Sequence, residues 1–261
     1  MISGTTKLVG LIGHPVAESL SPRMQNAAFA ARGLDWAYVP LEVGPDALAE
    51  AIAGLVALGF AGANVTIPYK TRVLAFCDEL DPVATRAGSV NLLVVRDGRV
   101  LGASTDGEAL TGAIEARGAR ALVLGAGGAA QAVAAALVDA GAASVVVAAR
   151  DDAQARTLAS RLGAVAAADW PPGTEDVDVM VNCTPVRDEV LVAVGPGQTV
   201  VDLAYRPDGT PTALVAAARA AGCARVVDGL EVLVRQGAAS FERWTGVEAP
   251  VEVMREAVAA P

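Results

Sequence analysis

The chain has little of several residue types that would declare a function at once. Among its 261 residues are two lysines, Lys7 and Lys70, against eighteen arginines, with one histidine, three cysteines and 4% aromatics. Binding a nucleic-acid backbone draws on clustered Lys and Arg. No basic run occurs and the formal charge is −9, which excludes a nucleic-acid partner. The same field gives no help to a small anionic ligand, which would have to be held by local donors. Cys77, Cys183 and Cys223 are widely spaced and include no C-x-x-C pair, so they indicate neither a disulfide framework nor a zinc site and are expected to be buried thiols. A lone His14, with no carboxylate cluster at ligand spacing, predicts no metal site and reads as a loop or partly buried structural histidine. No apolar stretch of about 18 residues runs free of charges or breakers. The opening "MISGTTKLVGLIGHP" lacks a charged leader, a long apolar core and a cleavage site. The expected setting is a reducing cytoplasm without a membrane partner.

What is present is apolar and small. Hydrophobic residues make up 53% of the chain and Ala, Val, Leu and Gly dominate, enough for one large core or two modest ones and suited to close helix-on-sheet packing. Short apolar runs alternate with alanine-rich stretches, the pattern of an α/β protein. The spacing predicts a strand at "KLVGLIG", a helix opened by Ser21 as N-cap with Pro22 in its first turn and closed near Gly33, and a strand at "WAYVPLEV". A helix "DALAEAIAGLVALG", a strand "GANV", a short helix beyond Lys70 and a hairpin "VNLLVVRDGRVLGAS" follow, its turn marked by Asp97-Gly98. Residues 120–150 read as one βαβ unit. "VDVMVNCT" and "TVVDLAY" look like later strands of the same sheet, and "GLEVLVRQGAASFERWTG" has apolar residues at helical spacing and is expected to fold back on the first half. No internal repeat or low-complexity linker is evident.

Within the βαβ unit, "GAGGAA" (Gly125 to Ala130) follows a strand and opens a helix. Glycines there permit a tight turn and let backbone N–H groups reach a pyrophosphate at the positive end of the helix. The spacing departs from G-x-G-x-x-G, and a packing turn without ligand is the bland alternative. About twenty residues on, "ARDD" ends the second strand, where an adenosine ribose would be read. An Asp there would accept from a free 2′-OH and favour NAD, whereas Arg150 could pair with a 2′-phosphate and favour NADP. Asp152 is equally suited to capping the next helix.

"NVTIPYK" ends in Lys70. Arginine stays protonated throughout the physiological range, while lysine can give up and regain a proton, so proton transfer is a reason for lysine in a chain that otherwise uses arginine. Pro68 fixes part of the loop, and Asn64 and Thr66 offer polar groups beside it. A solvated surface lysine is the alternative. In "STDGEAL", Asp106 could orient protonated Lys70 if the two loops meet, or be a helix N-terminal residue followed by glycine.

Taken together, "GHPVAESLSP", "NVTIPYK", "GSVN", "STDG", "GAGGAA", "NCTP", "DLAYRP" and "GLEVLVRQGAASFERWTG" resemble the motifs of the shikimate dehydrogenase family in order and at compatible spacing, nearly end to end. The resemblance implies an α/β fold of two domains: residues 1–105 with 230–261 as a substrate-binding catalytic domain, and 106–229 as an inserted Rossmann-type dinucleotide-binding domain. It implies Lys70 as acid/base with Asp106 as its partner. Ser19 and Ser21 would bond the substrate carboxylate, and Thr66, Asn91, Tyr205 and Gln236 the carboxylate or ring hydroxyls. Gly125, Ala126, Gly127, Gly128, Ala129, Arg150, Leu203 and Gly229 would contact NADP, with NAD possible. The implied reaction is reversible reduction of 3-dehydroshikimate to shikimate by a monomer or homodimer.

Several positions depart from the family pattern. Glu18 stands where His is usual, Leu92 for Thr, Ser104 for Asn, Gln131 for Arg after the glycine turn and Ala149 for the Asn before Arg150. Asp151 and Asp152 replace a Thr-containing phosphate clamp, and Glu231 and Val232 replace Pro or Gly and Met. These leave open a paralogue acting on quinate or an amino analogue with NAD. A methylenetetrahydrofolate dehydrogenase also pairs a Rossmann domain with a cleft lysine, but the serine loop and the Gln236 helix favour the shikimate reading. A non-catalytic dinucleotide-binding sensor is the alternative from a different class, and Lys70 with Asp106 argues against it.

Overall fold

The structure, a computed structural model, describes residues 2–259. Along the chain come β1 (Lys7–Gly13), α1 (Ser21–Ala31), β2 (Trp36–Glu42), α2 (Leu48–Ala57), β3 (Gly62–Val65), a 3-10 turn at Arg72–Phe76, β4 (Glu79–Leu80), α3 (Pro82–Ala87), and the hairpin β5 (Leu92–Arg96) and β6 (Arg99–Ala103). Next are α4 (Asp106–Thr111), β7 (Arg120–Leu124), α5 (Gly128–Asp139), β8 (Ser144–Ala148), α6 (Asp152–Leu162), β9 (Val165–Ala166), β10 (Val179–Asn182), β11 (Thr199–Asp202), α7 (Ala213–Ala220), β12 (Arg225–Val227), α8 (Gly229–Thr245) and α9 (Val251–Ala259). Contacts divide the chain into two compact units, 1–105 with 234–261 and 106–233. The second crossing therefore falls inside α8, four residues after the 229/230 position read from the sequence.

The first unit holds a mixed sheet in the order β2-β1-β3-β5-β6-β4. β1 pairs in parallel with β2 and β3, and β5 runs antiparallel to β3 and to β6. The β5–β6 turn places Asp97 at φ 51° and Gly98 at φ 74°, the two left-handed conformations that an Asp-Gly hairpin turn supplies. Ile12, Leu48, Ile52, Leu55, Val65, Tyr69 and Leu93 pack together on one side as the core. The aromatics are few but concentrated: Phe29 stacks on Phe241 at 5.3 Å between ring centroids, and Tyr38 meets Trp244 at 6.0 Å. Trp244 also donates Nε1–H to the Leu93 carbonyl at 3.0 Å, which pins α8 to the centre of the sheet.

The second unit holds a sheet of the order β12-β11-β10-β7-β8-β9, all of whose pairs are parallel. The order reverses between β7 and β10, the switch point at which open parallel sheets take ligands at their carboxyl ends. Near-continuous apolar strands suit burial on both faces: "RALVL" and "VMVN" bury all but Arg120. Gly107 lets α4 lie against the alanine-rich α5, since a Cβ there would sit 2.8 Å from Ala136 Cβ and 3.0 Å from the Ala132 carbonyl oxygen.

Local expectations are corrected in several places. Ser21 is the first residue of α1 and caps nothing with its side chain; instead its N–H donates to Ser19 Oγ at 3.2 Å. Asp151, not Asp152, is the N-cap of α6. The short helix expected beyond Lys70 is present, as a five-residue 3-10 helix at Arg72–Phe76. The three cysteines are thiols, half-buried rather than buried, and desolvation pushes that of Cys77 up to about 11. His14 lies in an exposed loop with Nδ1 3.2 Å from Glu42 Oε1.

Candidate active site

The Lys70 loop is assembled from the ends of three strands in the first unit. Thr66 N–H donates to the Ile12 carbonyl at 2.8 Å, and the Thr66 carbonyl accepts from Tyr69 N–H at 3.0 Å. Gly13 makes the approach of this loop possible: a Cβ there would lie 2.3 Å from Thr66 Cγ2. Tyr69 is fully buried and donates its hydroxyl to the Val43 carbonyl at 2.6 Å. Asn64 is also buried; it accepts from Tyr38 and donates to the Asn91 carbonyl and Ser240 Oγ, so it holds the framework together. With its neighbours anchored, Lys70 is half-buried, and its carbonyl accepts from Val90 N–H at 2.8 Å.

That last bond brings a second motif alongside. Asn91 N–H donates to the Ala103 carbonyl, its Oδ1 accepts from Thr105 N–H at 2.8 Å, and its Nδ2 donates to Thr105 Oγ1 at 2.9 Å. Thr105 Oγ1 in turn donates to the Gln236 carbonyl at 3.3 Å. Lys70, Asn91 and Gln236 are thus joined through backbone and amide bonds inside one unit. The serine loop reaches the same helix by another route: Ser21 opens α1, and Gln25 on α1 donates Nε2–H to the Gly237 carbonyl at 2.8 Å. Ser19 is half-buried, Ser21 buried and Glu18 exposed. Thr105, within "STDG", is the residue of this network that no local pattern marks. A hydroxyl buried to 0% exposure gives no sign of itself until its partners are known. Asp106, the first residue of the second unit, is buried at the start of α4.

The other expected residues lie in the second unit. Gly125 has φ +113° and donates to the Ala148 carbonyl at 2.8 Å, a conformation for which glycine is suited. Ala126 is buried and Gly128 and Ala129 half-buried, while Gly127, the N-cap residue of α5, is exposed with open space beside it and caps no N–H with a side chain. The N-cap of this twelve-residue helix offers no side-chain oxygen to the first-turn N–H groups, and an open helix N-terminus is of the kind that suits an anion. Leu203 and Tyr205 are half-buried beyond β11, and Gly229 is buried at the start of α8.

At the end of β8 the charges are sorted. Asp151 accepts from Gln154 N–H at 3.1 Å and from Gln154 Nε2 at 2.8 Å. Asp152 accepts from Arg156 Nε at 2.7 Å. Arg150 is exposed. Both carboxylates are committed to α6, and the guanidinium faces solvent at the place where a ribose would be read. Among the described residues, no group of three His, Cys, Asp or Glu is placed to hold a metal, and no helix is long and apolar enough to cross a membrane.

Comparison with known proteins accounts for both units. Residues 11–93 match the shikimate dehydrogenase substrate binding domain, 108–200 the shikimate / quinate 5-dehydrogenase domain and 229–259 the shikimate 5′-dehydrogenase C-terminal domain. The chain belongs to the shikimate dehydrogenase family. A relative in Moorella thermoacetica named shikimate dehydrogenase (NADP(+)) is 44% identical over 289 residues, covering 99% of this chain and 96% of that one. The crystal structure of the Thermus thermophilus shikimate 5-dehydrogenase with NADP(H) and shikimate superposes with a TM-score of 0.87 at 35% identity, covering 97% of this chain and 98% of that one. Quinate dehydrogenase from Corynebacterium glutamicum with NAD follows at TM-score 0.81 and 32% identity, with 97% and 98% covered. The α/β fold with a substrate-binding domain and a Rossmann-like domain is common to this family.

Proposed function

We propose that the chain is an NADP-dependent shikimate dehydrogenase, catalysing the reversible reduction of 3-dehydroshikimate to shikimate on the route to chorismate and the aromatic amino acids. The observation that carries this reading is the full-length match, across both units, to a relative named shikimate dehydrogenase (NADP(+)). The cofactor assignment draws further support from the residues themselves. The uncapped N-terminus of α5 suits a pyrophosphate, and with Asp151 and Asp152 engaged elsewhere the group left to meet a ribose substituent is the cation Arg150.

In this reading Lys70 is the acid/base and Asp106 its partner. Ser19 and Ser21 bond the substrate carboxylate, and Thr66, Asn91, Tyr205 and Gln236 hold the carboxylate or ring hydroxyls. Leu203 and Gly229 join Gly125 to Ala129 and Arg150 at the dinucleotide. The bound nicotinamide supplies or accepts the hydride at substrate C3. As the carbonyl is reduced, negative charge grows on its oxygen, and protonated Lys70 delivers a proton there; in the reverse direction neutral Lys70 removes the hydroxyl proton. Anchoring of Asn64 and Tyr69 in the segment leading to Lys70 fixes the backbone that carries the lysine, which is what positioning a proton donor requires. Half-buried cysteine thiols suit a reducing cytoplasm, where we place this enzyme as a monomer or homodimer.

Steady-state oxidation of shikimate with NADP and with NAD, beside Lys70→Met, tests the reading. Wild type should prefer NADP, and Lys70→Met should lose about 10²–10⁴-fold in turnover with smaller changes in KM. The likeness to a quinate dehydrogenase with NAD makes quinate plus NAD the informative second arm: activity there, with none on shikimate, would replace the proposal.

A further inference from the structure

The motifs "NCTP", "DLAY" and the "TPT" that begins α7 share a buried polar cluster in the second unit to which the proposed reaction gives no role. Asp202, at the carboxyl end of β11, is 0% exposed and Asn182, at the carboxyl end of β10, 2% exposed. Asp202 Oδ1 accepts from Asn182 Nδ2 at 2.9 Å and from Ala204 N–H at 3.0 Å, while Oδ2 accepts from the Thr212 hydroxyl. Asn182 has its amide oxygen turned the other way, accepting Thr184 N–H at 3.0 Å and Thr184 Oγ1 at 2.7 Å. Thr212 also accepts from Val215 N–H as the N-cap of α7. Two side chains therefore fix the first turn of backbone beyond β10 and β11, at the carboxyl ends of the strands, where β10 borders the reversal of strand order.

Burying a carboxylate is costly unless its oxygens are satisfied, and removing it would leave Asn182 Nδ2–H and Ala204 N–H buried without acceptors. Such an arrangement is worth keeping only if the geometry it fixes matters. The geometry in question is that of the Leu203–Ala204 peptide. It is held from one side by Asp202, and from the other it is touched by Gly229, where a Cβ would lie 2.3 Å from the Ala204 carbonyl oxygen and 2.9 Å from that of Leu203. A small cavity of about 60 Å³ opens beside it, lined by Ala204, Tyr205, Thr212 and Gly229 among others. The peptide thus has a fixed hydrogen-bond acceptor on one side and close-packed backbone on the other.

We infer that Asp202, Asn182 and Thr212 are positioning residues that set the Leu203–Ala204 peptide for the cofactor, so that cofactor affinity depends on them more than shikimate affinity does. The inference rests on the dehydrogenase reading above. Its test measures NADP Kd by fluorescence titration and shikimate KM by steady-state assay for wild type, Asp202→Ala, Asp202→Asn and Thr212→Val, with thermal unfolding of each. Asp202→Ala, which removes the acceptor of all three donors, should raise NADP Kd at least about tenfold, the order of one hydrogen bond to a charged acceptor, and shikimate KM by less than about a third of that. Asp202→Asn, which keeps one oxygen for Asn182 and Ala204, should recover most of the affinity. Thr212→Val, which leaves two of the three donors in place, should raise Kd about threefold. A cofactor Kd within twofold of wild type in folded Asp202→Ala, or in Thr212→Val should the alanine variant not fold, overturns the inference. So does an equal rise in NADP Kd and shikimate KM, which is what a general loss of folded protein would give. Wild type that oxidises shikimate while the variants behave in either of those ways removes this inference alone; wild type that neither binds NADP nor oxidises shikimate removes the dehydrogenase reading with it.

Discussion

At the end of β8 three charged residues stand in a row; Asp151 caps α6 and Asp152 pairs with Arg156, Arg150 is exposed, and in the proposed role it meets the 2′-phosphate. A guanidinium on a 2′-phosphate makes charge-assisted hydrogen bonds, each worth about 1.5–3 kcal/mol, whereas it has no such partner on the free hydroxyl of NAD. Arg150→Ala should therefore lower kcat/KM with NADP by about 10–150-fold and leave the NAD value within about a factor of three. Parallel loss with both cofactors would show that Arg150 acts on something other than the phosphate. The residue types at this strand end were legible in the sequence, but their division of labour was not. A helix boundary one residue earlier or later decides which of two adjacent aspartates becomes the cap, and propensity does not separate them. The same holds for Ser21, which falls one residue inside the helix and donates its own N–H to Ser19 Oγ. Lys70 was conspicuous because the chain avoids lysine; the bonds from Val90 to Lys70 and from Asn91 to Thr105 that join their loops are long-range facts no local pattern carries.

Elements with strong periodicity or a defining turn were readable: β1, β2, the β5–β6 hairpin with its Asp97-Gly98 turn, and the β7–α5–β8 unit. Those unread were short or polar, such as α3, six residues capped by Asp81, and α9, which forms against α1. Helices of this length are made by tertiary contact more than by propensity, so their signal lies in distant residues. How α8 meets the sheet was equally hidden, because it depends on a glycine. At Gly62 on β3 a Cβ would sit 2.1 Å from the Leu93 carbonyl oxygen and 2.5 Å from Trp244 Nε1, intruding on the bond that fastens α8 to β5. Gly62→Ala should therefore act as overpacking with a hydrogen bond disturbed, costing about 1–3 kcal/mol, read as a lower urea midpoint at unchanged m. A near-neutral result would mean that β3 and α8 can separate at little cost. Gly13→Ala places a methyl against Thr66 Cγ2, and its expected effect differs in kind: reduced turnover through the Lys70 loop accompanying any loss of stability.

Over the whole molecule, acid carboxylates outnumber cations and the formal charge is −9, yet stability against pH depends on the few groups whose protonation differs between folded and unfolded chain. Asp178 is held down to about 2 from an ordinary 3.8, first by its hydrogen bonds with the Arg120 side chain and backbone. Asp35 and Asp208 are lowered by the threonine hydroxyls they accept from. In each case the unfolded chain takes up the proton first, so the stability these groups contribute is present above the unfolded value and is lost as pH falls through the folded one. Asp202 has the opposite sign: burial raises it despite three donors, so its contribution is full below the unfolded value and is lost as pH rises through the folded one. The two kinds of group are separable by substitution. Urea midpoints of wild type and Asp178→Asn, measured between pH 7 and pH 2, should differ most above pH 5 and converge as pH falls toward 2, because the ion pair being removed vanishes there anyway. Asp202→Asn should do the reverse, comparing worst with wild type in acid and gaining on it as pH rises, since the amide carries no charge to bury. Exposure and salt screening keep the Asp178 effect small, and raising ionic strength should narrow its gap while leaving that of the buried Asp202 nearly unchanged. Curves for Asp178→Asn and wild type that stay parallel down to pH 2 would place the acid sensitivity elsewhere.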